Sequence, residues 1–111
     1  MKVHSALGPG ILESAYEACL AYELNQSRIQ VETQVALPII YRGQRIDAGY
    51  RIDLLVEHSL IVELKAVETI KKIHKTQLLS YLKLSDTRLG LLINFNVPML
   101  KEGICRIVNK F

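Results

Sequence analysis

The stretch RIDLLVEHSLIVELK, residues 51–65, decides the fold, because two strand-like segments in it flank the short polar segment Glu57-His58-Ser59. Residues that lie opposite each other in an antiparallel strand pair project from the same face, so the length of the loop decides which side chains meet. A two-residue loop at Glu57-His58 would place Asp53 opposite Val62 and would mix charged with apolar side chains on both faces. In that register neither face of the sheet could be buried without also burying charged side chains.

A loop of three residues separates the two faces. One face becomes apolar, with Ile52, Leu54 and Val56 opposite Leu64, Val62 and Leu60. The other face pairs Asp53 with Glu63 and Arg51 with Lys65. Because only a sheet with a continuous apolar face can bury that face, we expect the three-residue loop.

The preceding segment extends the same apolar face. A two-residue turn at Gly43-Gln44 suits the positive φ angle that glycine tolerates in such turns. It sets four residues of one strand opposite four of the next, namely Tyr41, Ile39, Leu37 and Val35 opposite Ile46, Ala48, Tyr50 and Ile52. Gln34 then falls opposite Asp53.

The rest of the chain predicts one α/β domain over residues 1–111, with a mixed β-sheet flanked by helices. Apolar residues at helical spacing indicate a helix, and alternating apolar residues indicate a strand. The expected helices are 11–24 and 72–84, and the expected strands are 31–41, 46–56, 60–66, 89–95 and 103–108. The first three strands form a meander, and the second helix makes a right-handed crossover to a parallel strand.

Composition is that of a small globular protein, with 50% hydrophobic and 23% charged residues. These proportions exclude intrinsic disorder, collagen-like repeats and a disulfide scaffold. The net charge of +3 permits an anionic partner without requiring one. No segment has the apolar length of a membrane span or a signal peptide, so we expect a cytoplasmic protein without a membrane partner. Cys19 and Cys105, without metal-site spacing, are expected to be buried free thiols.

The predicted pairing of Asp53 with Glu63 needs compensation, because opposed carboxylates repel each other. A divalent cation supplies it, since Mg²⁺ is bound through one or two carboxylates together with water and phosphate oxygens. Lys65 projects from the same side as Glu63. Two carboxylates and a lysine suit metal-assisted phosphodiester hydrolysis. The alternative is a solvated strand face on which the same residues form a salt-bridge cluster.

Several blocks of the chain resemble the PD-(D/E)XK nuclease superfamily, and within it the GxxExxY proteins. The segment LGPGILESAY, residues 7–16, is similar to the GxxExxY signature through Gly10, Glu13 and Tyr16. The later blocks VELKAVE, QLLSYLKL and LGLLINF also resemble that family. Ile52 replaces the proline of the superfamily motif, and the chain is short at its N-terminus relative to the family. The resemblance implies an α/β fold with a PD-(D/E)XK nuclease-like core.

The resemblance also implies roles for the residues of the motif. Asp53 and Glu63 correspond to metal ligands for Mg²⁺ or Mn²⁺, and the Leu64 carbonyl is a further candidate ligand. Lys65 corresponds to the catalytic lysine. The implied activity is a deoxyribonuclease that acts through water attack on phosphorus.

Two helical motifs add candidates to this site. Gln77 and Tyr81 resemble the QxxxY motif of nuclease domains attached to bacterial recombination helicases, and their spacing places both on one helix face. Core packing of Tyr81 and a solvated Gln77 are the alternative. Glu13 is a candidate for an additional acidic group of the site, although a carboxylate in the first turn of a helix is also favourable on its own.

Basic residues cluster around the second predicted helix: Lys71, Lys72, Lys75, Lys83 and Arg88. A run of charges is usually a solvated face, but Lys71, Lys72 and Lys75 are the natural phosphate contacts of a nuclease. His4, His58 and His74 lack zinc-ligand spacing, and His74 is expected at the surface.

Two functions therefore compete. The first is a metal-dependent nuclease whose partner is nucleic acid, with DNA preferred, and a homodimer is consistent with a single-site domain that cuts both strands of a duplex. The second is a catalytically inactive module that keeps the nuclease fold for nucleic-acid binding or protein assembly. The presence of the whole set of motif residues favours catalysis.

Overall fold

The computed structural model describes residues 2–7 and 12–110. Three α-helices and seven strands follow in the order α1 Lys2–Leu7, α2 Glu13–Gln26, β1 Val31–Ala36, β2 Ile39–Tyr41, β3 Gln44–Ile46, β4 Arg51–Val56, β5 Leu60–Lys65, α3 Lys72–Ser85, β6 Leu89–Asn94 and β7 Ile104–Val108, with a short 3-10 helix at Leu100–Gly103 before β7. Gly10, the glycine of the expected GxxExxY signature, lies outside the described residues.

Five strands form one mixed sheet in the order β1-β4-β5-β6-β7. Strands β5 and β6 are parallel, and α3 connects them, whereas the other neighbouring pairs are antiparallel. This is the α/β architecture that the sequence predicts, including the crossover and the last strand. Strands β2 and β3 form a separate two-stranded sheet.

Hydrophobic side chains cover both faces of the five-stranded sheet, because residues next to each other in a strand point to opposite faces. Tyr16 and Leu20 of α2 pack on one face, and Leu78 and Leu82 of α3 pack on the other. We call these the α2 face and the α3 face. A stacked pair, Tyr16 and Phe95, lies in the core of the α2 face with ring centres 4.3 Å apart.

The two long helices differ slightly from their expected limits. The helix α2 begins at Glu13 rather than at residue 11, and Leu12 before it is exposed. The helix α3 runs one residue beyond its expected end, to Ser85. In the described ranges, no helix has the length and apolar character needed to cross a bilayer.

The register of β4 and β5 is the one that a three-residue loop predicts. Leu54 pairs with Val62 and Val56 with Leu60, so Asp53 is not opposite Val62. Positive φ angles at Glu57 and His58 close the loop. The backbone strain at these two residues is offset because the register buries Leu54, Val56 and Val62 in the same core.

The expectation of one continuous apolar face is wrong at Ile52. Leu54 and Val56 pack on the α2 face, whereas Ile52 packs on the α3 face together with Leu37. The change coincides with Gln34, whose φ of 51° lies in the left-handed region, and Gln34 is skipped in the pairing of β1 with β4. A residue in that conformation interrupts the regular alternation of side chains.

The first hairpin is also shorter and differently turned than expected. Its turn is Arg42-Gly43, with φ angles of 51° and 76°, and Tyr41 pairs with Gln44 instead of Ile46. Pro38 follows β1 and cannot donate a backbone hydrogen bond, which separates β1 from β2. The predicted strand 46–56 is correspondingly split into β3 and β4.

Cys19 and Cys105 are free, as predicted, but they are half-buried rather than buried. Each packs at the margin of a core cluster, Cys19 on the α2 face and Cys105 on the α3 face.

Candidate active site

Two crossed hydrogen bonds join β4 and β5 where their backbone pairing stops. The backbone N–H of Asp53 donates to Glu63 Oε1 at 3.0 Å, and the backbone N–H of Leu64 donates to Asp53 Oδ2 at 2.9 Å. Each carboxylate is thus held by the opposite strand. The predicted neighbours Asp53 and Glu63 therefore lie side by side.

Burial dominates the electrostatics of Glu63, which is only 6% exposed. Burial and, next, the negative charge of Asp53 raise the pKa of the Glu63 carboxyl to about 8, against a smaller opposing effect of Lys65. At neutral pH this carboxyl therefore holds a proton. A cation placed between the two carboxylates would favour the ionised form of both.

The alternative of a solvated salt-bridge face disagrees with this arrangement. Glu63 is buried, and Asp53 and Lys65 are half-buried. Among the residues that the structure describes, the ion pairs are Arg51 with Asp47 and His58 with Glu32, and neither involves the motif residues. Asp53, Glu63 and Lys65 are therefore not a salt-bridge cluster.

A cleft of about 340 Å³ opens beside Asp53 and Leu64. The first turns of α2 form its opposite wall, so that the lining is Glu13, Ser14, Glu17, Gln34, Asp53 and Leu64. Glu13 is exposed in this wall, which puts the predicted additional carboxylate into the same cleft as Asp53. Most residues that line the cleft are polar, and the cleft is open to solvent and large enough for a phosphate group with water.

Gln34 connects the two walls of the cleft. Its Nε2 donates to Glu17 Oε1 at 2.7 Å and lies 3.4 Å from Asp53 Oδ1. Burial raises the pKa of the Glu17 carboxyl, the bond from Gln34 lowers it, and the charge of Asp53 raises it further. The left-handed backbone at Gln34 directs this amide between two acidic groups.

Glu17 is a candidate that sequence reasoning missed. It lies four residues after Glu13, so both carboxylates share one side of α2. That spacing is a readable signal, but it does not by itself indicate that α2 faces Asp53.

Gln77 and Tyr81 lie together on α3, as their spacing predicts. Gln77 Nε2 donates to the Tyr81 hydroxyl at 3.2 Å. Tyr81 is buried in the core of the α3 face, while Gln77 is exposed. Burial raises the pKa of the Tyr81 phenol, and the charge of Glu63 raises it further. The Gln77–Tyr81 pair is therefore close to the carboxylates, from the side opposite the cleft.

Lys65 ends β5, and Asn94 of the parallel neighbour β6 fixes the chain beyond it. Lys65 pairs with Asn94, and the backbone N–H of Phe95 donates to the Lys65 carbonyl at 3.0 Å. The Asn94 side chain accepts from the Val67 N–H at 3.1 Å and donates to the Val67 carbonyl at 2.8 Å. Sequence reasoning missed Asn94, although a polar residue at the end of an apolar strand is a usable signal.

The predicted phosphate contacts Lys71, Lys72 and Lys75 are exposed at the N-terminal end of α3. None of them belongs to the described lining of the cleft. His74, expected at the surface, is half-buried, and its Nδ1 accepts from the Lys71 backbone N–H at 2.9 Å. It therefore helps to begin α3.

The donor set fits a hard divalent cation. Within residues 2–7 and 12–110, no group of three or more His, Cys, Asp or Glu side chains is arranged to hold a metal ion. Mg²⁺, however, requires only one or two protein carboxylates and takes its remaining oxygens from water and phosphate. Asp53 and Glu63 are two such carboxylates, and Leu64, whose N–H bonds to Asp53, lies beside them.

Comparisons with known proteins identify the family and the fold. A family model described as the PD-(D/E)XK nuclease superfamily matches residues 1–107. A solved structure, described as the crystal structure of SSO0001, is similar in fold, with a TM-score of 0.64 and 24% sequence identity. The similarity covers 96% of this chain and 53% of that one, so the chain spans about half the length of that structure. No curated protein matches the sequence.

Proposed function

Because the chain belongs to the PD-(D/E)XK nuclease superfamily, we propose that it is a metal-dependent nuclease that hydrolyses phosphodiester bonds in DNA. The motif blocks of the sequence further support membership of the GxxExxY proteins within that superfamily. The substrate class and the metal dependence are parts of this proposal.

One observation carries the proposal above all others. Asp53 and Glu63 are neighbours, held by crossed hydrogen bonds at 3.0 and 2.9 Å, and Lys65, whose charge acts on Glu63, follows two residues later. Burial and the charge of Asp53 oppose the ionisation of Glu63, and a bound cation would favour it. Two carboxyl groups in this position therefore support the proposal of a metal site.

In the proposed reaction, Asp53, Glu63 and the Leu64 carbonyl would hold Mg²⁺ or Mn²⁺. Such an ion, when bound, would polarise the phosphate and lower the pKa of water. Lys65, at the end of β5, contributes a positive charge where negative charge develops on the phosphate oxygens. Glu13, across the cleft, supplies a further acceptor for the attacking water or its proton.

Gln77 and Tyr81 act from the α3 face in this scheme. Their mutual hydrogen bond fixes the Tyr81 hydroxyl near Glu63, where the phenol stays protonated because burial and the carboxylates raise its pKa. A protonated hydroxyl donates a hydrogen bond. We assign to this pair the orientation of Lys65 or of a phosphate oxygen.

Cleavage of labelled nucleic acids tests the proposal. Single-stranded, duplex and branched DNA, and RNA, would be incubated with Mg²⁺ or Mn²⁺ and with EDTA. The expected result is metal-dependent cleavage of DNA that Asp53→Asn lowers by about a hundredfold or more. The matched control Glu102→Gln removes one exposed carboxylate and should cut like wild type. Activity of Asp53→Asn equal to that of wild type would overturn the assignment.

A catalytically inactive nucleic-acid-binding or assembly module is the second candidate, and the Glu63 carboxyl favours it. With a pKa of about 8, that group is uncharged at neutral pH when no cation is bound. A module that never binds metal would hold this protonated pair permanently. Wild type that binds DNA but cuts none of the substrates with Mn²⁺ at pH 8.5 would favour the module.

Two further features belong to the proposal. The thiols of Cys19 and Cys105 are free, which suits the reducing cytoplasm. A single site in each chain cuts both strands of a duplex when two copies act together, so we propose a homodimer on duplex substrates. Sedimentation of the protein with and without duplex DNA measures this.

A further inference from the structure

The β2–β3 hairpin exposes apolar and basic side chains to solvent. Residues 39–51 contain three arginines and one aspartate, a net charge of +2 within a chain whose total is +3. Tyr41 is 60% exposed, and Ile40 beside it is 63% exposed. Large apolar side chains that are grouped and exposed usually mark a contact surface.

The charges of the hairpin are distributed unevenly. Asp47 lies at 3.6 Å from Arg51, at the base, and its carboxylate also accepts from the Gly49 N–H. Arg42 and Arg45 lie toward the turn, and the ion pairs of the described residues do not include them. The bond from Gly49 and the charge of Arg51 lower the pKa of the Asp47 carboxyl, and the charge of Arg45 also lowers it. The positive charge of the hairpin is therefore least compensated at Arg42, in the turn.

An aromatic ring lies beside one of these arginines. The guanidinium of Arg42 is 5.8 Å from the centre of the Tyr41 ring, a distance at which the two attract each other. Tyr41 pairs with Gln44 across the hairpin, and Ile40 pairs with Arg45, so both faces of the hairpin carry an apolar residue near the turn. Arginines beside an exposed ring are the groups that bind single-stranded nucleic acid, through phosphate contacts and base stacking.

The base of the hairpin is joined to the candidate active site. The Leu37 N–H donates to the Tyr50 carbonyl at 3.0 Å, and the Tyr50 ring lies 5.9 Å from the Tyr81 ring. Asp53 follows three residues after Tyr50. The base of the hairpin therefore contacts the α3 side of the candidate site, where Tyr81 lies near Glu63.

From these observations we infer that the β2–β3 hairpin binds unpaired bases of the substrate, with Tyr41 stacking on a base and Arg42 and Arg45 contacting phosphates. The inference rests on the proposed function, because it takes nucleic acid as the substrate. Bases inside a duplex are stacked on each other and offer no free face to Tyr41. The substrate class is therefore DNA with a single-stranded segment next to the cut phosphate.

The positive charge of the hairpin argues against a second copy of the chain as its binding partner. In a two-fold contact between hairpins, Arg42 and Arg45 would approach the same arginines of the other copy, and like charges repel. Nucleic acid supplies the opposite charge. The oligomeric state is nevertheless an outcome of the test.

Fluorescence anisotropy in EDTA measures DNA binding by the hairpin without metal-dependent cleavage. The DNAs are a single strand, a blunt duplex, and a duplex with a single-stranded tail, each with the same label. Wild type should bind the single strand and the tailed duplex more tightly than the blunt duplex. Tyr41→Ala should weaken binding to the first two by about tenfold, the loss of one stacked base, and leave blunt-duplex binding nearly unchanged.

Three control variants isolate the cause. Tyr41→Phe keeps the ring and should bind like wild type. Tyr22→Ala removes a tyrosine of α2 that is 61% exposed, nearly equal to Tyr41, and should have no effect. The double variant Arg42→Ala/Arg45→Ala should weaken binding to all three DNAs. It should also lower the slope of log affinity against log salt concentration by the amount expected for about two phosphate contacts. Arg106→Ala, an exposed arginine of the edge strand β7, should not lower binding to the same extent.

The results that would overturn the hairpin inference differ from those that would overturn the proposed nuclease function. Tyr41→Ala that binds the tailed duplex like wild type overturns the inference, even if wild type cuts DNA. The same holds if wild type binds none of the DNAs, or if Tyr41→Ala changes only the sedimentation of a dimer. Wild type that shows the expected binding pattern but cuts nothing with Mn²⁺ contradicts the nuclease and leaves the hairpin inference standing. Unchanged thermal unfolding of each variant verifies that it is folded.

Discussion

The end of the β4–β5 pair that carries Asp53 and Glu63 and the β2–β3 hairpin are neighbours in sequence, but they differ in how strongly their side chains are buried and held. At the first, two carboxylates are held by backbone hydrogen bonds, and Glu63 is almost fully buried. At the second, a two-stranded sheet of its own exposes arginine and tyrosine side chains. The same stretch of chain thus passes from a solvated surface to an enclosed acidic pair within seven residues, from Ile46 to Asp53.

We relate this difference to function: the acidic pair is proposed to take part in catalysis, and the hairpin is proposed to bind the substrate. A reacting group must be held in one geometry before the substrate arrives, which burial and backbone hydrogen bonds achieve. A group that contacts a flexible polymer must instead be reachable. Substitutions at the two regions should therefore change different quantities, and the following predictions are ordered by the size of the expected effect.

The largest effect is expected at Lys65. Lys65→Ala should lower metal-dependent cleavage by about a hundredfold or more, because its charge is assigned to the reacting phosphate. It should leave the metal-induced rise in melting temperature intact, since an ammonium group is not a metal ligand. Cleavage assays and thermal unfolding with Mn²⁺ measure the two effects, and Lys101→Ala, an exposed lysine, is the control. Full activity of Lys65→Ala would contradict its role.

Glu63 should make the metal-free protein less stable at high pH. Its folded-state pKa of about 8 exceeds the ordinary value of 4.5, so between these values the folded state keeps a proton that the unfolded chain releases. Its contribution is fully present below pH 4.5 and is lost as the pH rises to about 8, on the order of a few kcal/mol. Urea unfolding in EDTA measures this loss.

Glu63→Gln should remove that pH dependence, because an amide does not ionise between pH 4.5 and 8. The variant Glu102→Gln should keep it. An equal decline in stability for wild type and Glu63→Gln would mean that the buried carboxyl does not hold the proton.

Asn94 should matter for the stability of the site rather than for the hairpin. Asn94→Ala leaves the Val67 N–H without its side-chain partner and the Val67 carbonyl with only the longer bond from Asn96 Nδ2, at 3.4 Å, a loss of roughly 1–3 kcal/mol in the free energy of unfolding. Asn96→Ala, its exposed neighbour, is the control and should cost much less. Chemical denaturation compares the two, and equal stabilities would show that the Asn94 side chain does not hold the chain after Lys65.

The smallest effect is expected at the start of α3. Lys71→Ala with Lys72→Ala should reduce DNA affinity modestly and lower the slope of log affinity against log salt by about two phosphates' worth. Turnover at saturating substrate should change little, because neither side chain lines the cleft beside Asp53. A strong fall in turnover at saturation would place these lysines in the chemistry instead.

The two regions also differ in how well the sequence predicts them. Alternating apolar residues in 51–65 determine the three-residue loop and the neighbourhood of Asp53 and Glu63, because any other register would bury charge. The hairpin turn has no such constraint. Its residues are exposed on both faces, and nothing in the sequence marks Arg42 as a residue with positive φ.

The missed parts of the site depend on long-range packing. Gln34 adopts a left-handed conformation at the place where Ile52 changes face, and its amide bonds to Glu17 and Asp53. Local propensity gives no reason for that conformation at a glutamine. Glu17 becomes a cleft residue only because α2 packs over this end of the sheet.

The most direct test of the account is a metal titration of the acidic pair. Thermal unfolding of wild type, Asp53→Asn and Glu102→Gln would be followed with increasing Mg²⁺ or Mn²⁺ at pH 8.5. An ion bound only by the folded state adds about 2.7 kcal/mol at a hundredfold excess over its Kd, so wild type and Glu102→Gln should be stabilised by several degrees. Asp53→Asn should lose most of that gain, while its metal-free form unfolds no earlier than wild type. An unchanged melting temperature of wild type at millimolar metal, or equal stabilisation of Asp53→Asn, would contradict the claim that Asp53 and Glu63 form a metal site.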